Sequence, residues 1–319
     1  MVSVQNENEY EDLLGLWSDL ESGLGIILSS PNSIQEFDQR VRQYDRWMQT
    51  LLQRDTDVGL YLLFQLATNS PVGYSASHAL VCAVLCHLIA AELQLGEPER
   101  DSLIHAALTM NIAMTALQDE LAGQADKPNA AQQMVIKTHT VKGGMMLANL
   151  HVTDPLWLEV VAHHHDESDQ HGALGTLAPA ARLTRILRTV DRYAAMISPR
   201  KSRSGRTSTD SFRSIINSGA HKDEVGLALV RAVGLCPPGT YVRMDSNELA
   251  VVIRRSGTAN FPYVAIVISK AGELLPQPRL HRTADATPKI QAALAASAVR
   301  ARINHHLVLQ LGAYVAQHP

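Results

Sequence analysis

Aromatic residues make up only 5% of the 319-residue chain, charged residues 18%, and cysteine occurs three times. Each scarcity narrows the reading. Few rings and few charges beside 46% hydrophobic residues describe an Ala/Leu/Val-rich globular protein with a real core, leaning towards helices and away from disorder. There is no CxxC pair, so a zinc site built on paired cysteines is excluded. Cys82 and Cys86 stand one helical turn apart in the apolar stretch "ALVCAVLCHLIAA" and read as reduced core thiols, while Cys236 has no evident partner. The formal net charge of −3 gives no overall attraction to nucleic acid or an anionic membrane, so any phosphate contact must be local. The N-terminus lacks a basic segment followed by an apolar one. The longest apolar run, residues 79–91, carries a histidine and is shorter than the roughly 18 residues a membrane span needs. A cytoplasmic protein without membrane insertion or nucleic-acid binding is expected.

What is present is mostly helical periodicity. Leu13, Trp17, Leu20, Leu24 and Ile27 recur at steps of three and four, the stripe of an amphipathic helix. Ser33 and Glu36 read as a capping box for a second helix carrying Phe37, Val41, Tyr44, Met48 and Leu51, and the two helices are expected to pair. From Asp57 to about Leu95 the segments are apolar around too much of their circumference to lie on a surface. Helical patterns continue to residue 233, with Asp154-Pro155 as the start of one of them. After Gly234 the texture changes to short β-branched runs, "TYVRM", "LAVVIRR" and "YVAIVIS", read as a small antiparallel sheet. The division expected is therefore an N-terminal helical extension (1–56), a helical domain (57–233), a β module (234–283) and a helical tail (284–319). The tail suits docking on the body or on a second copy in a homodimer.

Six of the 14 histidines fall between 139 and 171, three of them consecutive in "HHHDESDQHGALG". Imidazoles from several helices can converge on one interior point, and three with an open position suit zinc, iron or manganese. The plainer alternative is a run of solvated histidines whose charge favours a helix C-terminus.

In chain order, "SASHAL" with His78, "KTHTVKGGMML" with His139, "HHHDESDQHG" and "RILRTVDRYAAM" with Asp191 resemble the HD-GYP family. Its members are bacterial HD-superfamily phosphodiesterases that hydrolyse cyclic di-GMP at a di- or trinuclear metal centre in an all-helical domain. The likeness covers about residues 57 to 233. It implies metal ligands at His78, His139, His164, His165 and Asp191, and it matches Asp169 and Gly172 to the family's loop. It also sets "SPRKSR" against the loop that grips substrate phosphate, with Arg200 and Arg203 in the arginine-like positions and Ser202 in place of a tyrosine. A guanidinium fork suits phosphate, while composition alone would make these arginines a solvated basic loop.

The pattern breaks at the dyad that names the family. In "AALTMNIAM", residues 106–114, Met110 stands for the histidine, Asn111 for the aspartate and Met114 for a phosphate-facing lysine; Tyr74 replaces a glutamate four residues before His78. The dyad aspartate would bridge two ions that, at about 4 Å, repel by roughly 16 kcal/mol even at an effective dielectric near 20. A neutral amide and a thioether do not offset that. His78 and Asp191 then read either as ligands or as a buried hydrogen-bonded pair.

Three functions stay open. One is a non-catalytic receptor or protein-interaction module in cyclic di-GMP-linked signalling, using Arg200 and Arg203 and holding at most one divalent iron, manganese or zinc ion. Another is an atypical mononuclear phosphodiesterase with Asp169 or Asp191 as proton acceptor. The last is a scaffold that binds protein partners and no nucleotide.

Overall fold

The computed structural model describes residues 4–69, 72–166, 172–202, 205–216, 223–258 and 260–318. Two long helices open the chain, α1 (Val4–Ser29) and α2 (Phe37–Arg54), followed by α3 (Thr56–Asn69) and α4 (Tyr74–Glu92). The helical body continues through α5 (Glu97–Thr109), α6 (Thr115–Gly123), α7 (Ala130–Asn149) and α8 (Pro155–His163). It ends with α9 (Pro179–Ile197), α10 (Ser208–Ile216) and α11 (Glu224–Val233). A mainly helical fold with a small antiparallel sheet, as the sequence implies, is what forms.

The centre is α4. Its face-to-face apolarity leaves no side for water, and it packs against α1, α3, α5, α6, α9 and α11. By length and composition α4 would also pass for a membrane span, but 78% of that stretch is buried inside the fold, as a core helix requires. The helix is longer than the apolar run read from the sequence because Tyr74, Ser75, Ser77 and His78 extend it N-terminally. Asp119 of α6 closes its open end, accepting from the Ser75 N–H at 2.7 Å and the Ser75 hydroxyl at 2.9 Å. Cys82 and Cys86 are free and buried.

Two local expectations are corrected. Ser33 and Glu36 make no capping box: Pro31–Ser33 form a single 3-10 turn, and Glu36 precedes α2 in the left-handed region (φ 50°) without a side-chain cap. The hydrophobic stripe placed the helix correctly, but the turn before it takes the cap position away from Ser33. The 284–319 segment is also not helical throughout. Its first part forms strand β5 (Ile290–Leu294), and only α12 (His305–Gln317) is helix. Alanine-rich sequence is weak evidence against a strand when an open sheet edge offers a ladder of partners.

The sheet comprises β1 (Tyr241–Met244), β2 (Leu249–Arg254), β3 (Tyr263–Ile268), β4 (Leu274–Arg282) and β5, antiparallel throughout, in the order β4-β3-β2-β1-β5. Alternation sorts its side chains onto two faces. Tyr241, Val251, Ile253, Ala265 and Val267 join the helical core, whereas Val242, Ala250, Val252, Val264 and Ile266 form a second, smaller cluster. Pro276 and Pro278 lie in edge strand β4, where a missing N–H costs least. Gly239, at φ 90°, lets the chain enter the sheet hard against α3, because a Cβ there would stand 2.8 Å from Phe64 Cβ and the Tyr61 carbonyl oxygen.

Sheet and helices are tied by charge. Arg254 forks onto Asp55 and reaches Asp57 at 3.2 Å, and Arg255 bonds Asp57 at 2.5 Å. The side chains of Arg254, Asp55 and Asp57 are at most 13% exposed. Removing one partner from such a buried network strands the others, at a typical cost of about 3 kcal/mol. Arg254→Ala should therefore lower the urea-unfolding free energy by about that amount, while Arg213→Ala, on a pair 76% and 56% exposed, should leave the midpoint unchanged.

Candidate metal centre

Helices α7 and α8 are set to meet closely. Asn129 and Gln132 form a reciprocal capping box at the start of α7, each accepting the other's backbone N–H at 2.9 Å. Asp154 starts α8 by accepting from the N–H groups of Leu156 and Trp157 at 3.0 and 3.1 Å, as its sequence position before Pro155 implied. Between the helices lie Gly143 and Gly144, where a Cβ would stand only 3.2 Å from Val161 and 3.1 Å from Ala162. The glycines allow the approach, and that approach brings His139 of α7 to the histidines ending α8.

The histidine run divides. His163 turns outward to Asp166 at 2.7 Å, so it is the solvated residue of the plainer reading. His164 is 0% exposed and His139 1%. His139 Nδ1 lies 2.6 Å from the Ile136 carbonyl oxygen, and His164 Nδ1 lies 2.9 Å from that of Val161. Facing a carbonyl, each Nδ1 must carry the proton, which leaves Nε2 as a bare lone pair. Those two Nε2 atoms stand 3.4 Å apart, and the exposed ring of His165 adjoins both, with centroids at 5.2 and 4.3 Å. Lone pairs converging in a buried place repel one another unless a cation lies between them. Burial, with His165 adding to it, holds His164 down to about 3, and burial also lowers His139. Both are thus neutral and ready to ligate at pH 7.

The second group is closed upon itself. His78 of α4 and Asp191 of α9 are joined, Nε2 to Oδ1, at 2.8 Å, and Cys82, one turn further along α4, brings its sulfur to 3.7 Å from the same nitrogen. Burial alone would raise the Asp191 carboxyl. The hydrogen bond and charge of His78 are the largest of the influences that outweigh it and hold the group down to about 2. Over His78 lies the ring of Tyr74, stacked at 5.4 Å and 13°. Arg200 covers Tyr74 in turn, its guanidinium 4.6 Å from the ring and its Nη2 2.8 Å from the phenol oxygen. Burial raises the Tyr74 pKa, so the phenol keeps its proton. The buried-pair reading of His78 and Asp191 accordingly has a geometric basis that their ligand reading must displace.

Met110 is 1% exposed in the turn after α5. Asn111 precedes the 3-10 turn Ile112–Met114, and neither residue brings a negative charge. Gly172 takes φ 113°, and Glu224 holds the next loop by accepting the Leu174 N–H at 2.7 Å. Asp169 and Arg203 lie outside the described residues. Sequence reading missed the Arg200–Tyr74–His78 column, Cys82 beside His78, and Asp119 under α4. The i, i+4 spacings of Tyr74, His78 and Cys82 were the only signal.

The donor set fits a borderline divalent ion at the His139–His164–His165 corner, where three imidazoles approach and two of them, His139 and His164, are neutral with Nε2 free to ligate. Around Met110, Asn111 and Tyr74 the side chains are a thioether, a neutral amide and a protonated phenol, none of them an anionic ligand.

No family model matches the chain. Over 201 residues, 62% of its length, it is 30% identical to a cyclic di-GMP phosphodiesterase of Pseudomonas aeruginosa. That match covers 48% of the relative, so the chain spans about half the length of the curated protein it resembles. Its fold is similar to that of an HDG"Y"P protein from Bdellovibrio bacteriovorus, with a TM-score of 0.50 and 11% identity, covering 72% of each chain. The helical body with histidines and an aspartate facing inward is thus similar in sequence to part of a cyclic di-GMP phosphodiesterase and in fold to an HDG"Y"P protein. Both likenesses agree with the resemblance of its motifs to the HD-GYP family.

The histidine corner has a consequence for apo-protein stability. A folded-state pKa near 3 against an unfolded value near 6.5 for His164 means that the unfolded chain takes up the proton first. Stability present above pH 6.5 is therefore lost as pH falls through that window, by up to about 1.4 kcal/mol per pH unit. Urea unfolding of chelator-treated protein between pH 7 and pH 4.5 should show a steeper decline than His164→Gln under the same conditions.

Proposed function

We propose that this chain is a non-catalytic HD-GYP protein in cyclic di-GMP-linked signalling. In this reading it is a cytoplasmic receptor that holds one divalent iron, manganese or zinc ion and passes its state to protein partners. The observation that carries the proposal is the contrast between the two halves of the site. One half keeps three imidazoles converging, with two bare Nε2 atoms at 3.4 Å; the other is closed by the His78–Asp191 bond under the Tyr74–Arg200 cover. Such a site can accept one ion and an anionic ligand, but it lacks the bridging charge that would hold two ions together.

When bound, a metal would supply Lewis acidity towards a phosphate oxygen. The chain's own residues would do the rest. His139 and His164 hold their Nε2 atoms towards the ion through carbonyl bonds on Nδ1. Arg200 would exchange its bond to Tyr74 for one to a phosphate oxygen, a guanidinium-to-anion bond being the stronger, and Arg203 is the second phosphate contact of this reading.

The three-histidine corner also favours a second reading, a mononuclear phosphodiesterase in which Asp169 or Asp191 takes up the proton. In the described pose Asp191 is already engaged by His78, which argues for the first. A scaffold without nucleotide is the third.

Metal content by inductively coupled plasma mass spectrometry, after incubation with manganese, iron or zinc, should show about one equivalent, lost in His164→Ala. Cyclic di-GMP should bind without turnover, and more weakly in Arg200→Ala. Metal-dependent hydrolysis by the wild type would overturn the receptor reading in favour of the enzyme; absence of nucleotide binding at high micromolar concentration would leave the scaffold.

The same reading anticipates a gain of function. Combining Met110→His, Asn111→Asp and Tyr74→Glu should raise the metal stoichiometry from one towards two and bring hydrolysis of cyclic di-GMP with it. A variant that folds, binds two ions and stays inactive would show that the ligands alone do not separate this chain from a catalyst.

A further inference from the structure

Between α10, α11 and the β5 end of the sheet runs a cleft of about 690 Å3, well within the range of small-molecule sites. It is separate from the histidine corner: α10 forms its wall and is itself backed by α9, where Tyr193 stacks on Phe212 at 4.6 Å. Its composition is two-sided. Leu235, Pro262 and Ala292 are among its apolar lining, while Arg213, Arg231 and Arg255 line it against a single carboxylate, Asp210.

The guanidinium groups are braced rather than consumed. Arg231 is held through Nε by Glu92 at 2.5 Å, and Arg255 through Nε by Asp57 at 2.5 Å and through Nη1 by the Ala232 carbonyl at 2.6 Å. Glu92, Asp57 and Ala232 stand behind the arginines and do not line the cleft. An arginine has five N–H donors, so bracing through Nε fixes the fork while leaving terminal donors for a ligand. Arg213 bonds Asp210 only at 3.4 Å and is 76% exposed, and can move. The N-terminal turn of α10, with Thr207 and Thr209, also borders the cleft and adds positive potential of its own.

We propose that this cleft is a second ligand site, for a small organic anion with a flat or aliphatic body and one carboxylate, phosphate or sulfonate group. The apolar lining takes the body, and Arg231, Arg255 and Arg213 take the anionic head. Neither half of such a molecule satisfies the cleft alone. An inorganic anion leaves the lining wet, and a neutral apolar molecule leaves the arginine donors unmatched.

Naphthalene-2-sulfonate, which cannot be hydrolysed at the histidine corner, is a suitable probe, titrated calorimetrically into the full chain beside neutral 2-naphthol and inorganic phosphate. Saturable binding of one equivalent of the sulfonate is expected, with 2-naphthol and phosphate each on the order of tenfold weaker or more, as for one lost charge-assisted bond. Arg231→Gln should weaken the sulfonate by a similar factor. Ala292→Trp, an exposed position on β5, should abolish binding by filling the cleft, with Gln291→Trp as the alternative if that variant does not fold. His164→Ala should bind as the wild type does, which separates this site from the proposed receptor site. No saturable binding of the sulfonate, equal binding of 2-naphthol, or binding that survives both tryptophan variants would overturn the proposal.

Discussion

A helix apolar around its whole circumference has to be enclosed on every side, and α4 imposes that condition on the protein. Six helices pack around it, and each is amphipathic enough, or buried enough, to present an apolar face inward. The constraint extends to the polar groups α4 carries. Ser75 cannot be left dry at its N-terminus, and Asp119 satisfies it from another helix. His78, 2% exposed, cannot be left without an acceptor or donor, and Asp191 meets it from α9. A buried polar side chain without a partner is costly, so the helix at the centre also dictates where carboxylates must come from its neighbours.

The same rule gives the two halves of the site opposite characters. At His78 one ring nitrogen, Nε2, is satisfied by the Asp191 carboxylate while Nδ1 is buried without a partner, with a phenol stacked above and a guanidinium over the phenol. At His139 and His164 each ring satisfies its Nδ1 locally, three residues back along its own helix, and this commitment aims the two Nε2 lone pairs at each other. Intrahelical carbonyl bonds thus create an intermolecular demand: the arrangement is comfortable only with positive charge at its focus.

Much of this was legible. The helical body, the apolar α4, the Asp154 cap, the β module and the inward-facing residues His78, His139, His164 and Asp191 all followed from periodicity, turn chemistry and motif order. What escaped depended on distance in space. Ser33 satisfies the pattern of a capping box, but Pro31 starts a 3-10 turn and shifts the helix entry to Glu36. Residues 290–294 have a composition open to helix or strand, and the vacant edge of β1 decides for strand. Nothing local in the sequence couples Asp119 to Ser75 or Arg200 to Tyr74, since those pairs are 44 and 126 residues apart.

Met110 and Asn111 raise a physical question: what holds their turn without a charged side chain? The turn they occupy is held by its backbone and by apolar packing rather than by charge. A Cβ on Gly143 would meet the Met110 carbonyl oxygen at 3.7 Å and Ile112 at 3.8 Å, so α7 lies directly on that turn whatever the side chains at 110 and 111 do. Met110 can fill the interior because a flexible thioether adapts to irregular space. Asn111 stands at the non-helical bend where α5 gives way to the 3-10 turn, a conformation asparagine tolerates well. A metal-bridging aspartate at that position would add negative charge that only bound cations could compensate. Asparagine carries no such dependence, so this turn needs no bound ion to be stable. The α7–α8 corner is held by its own carbonyl bonds and does not draw on the side chains at 110 and 111.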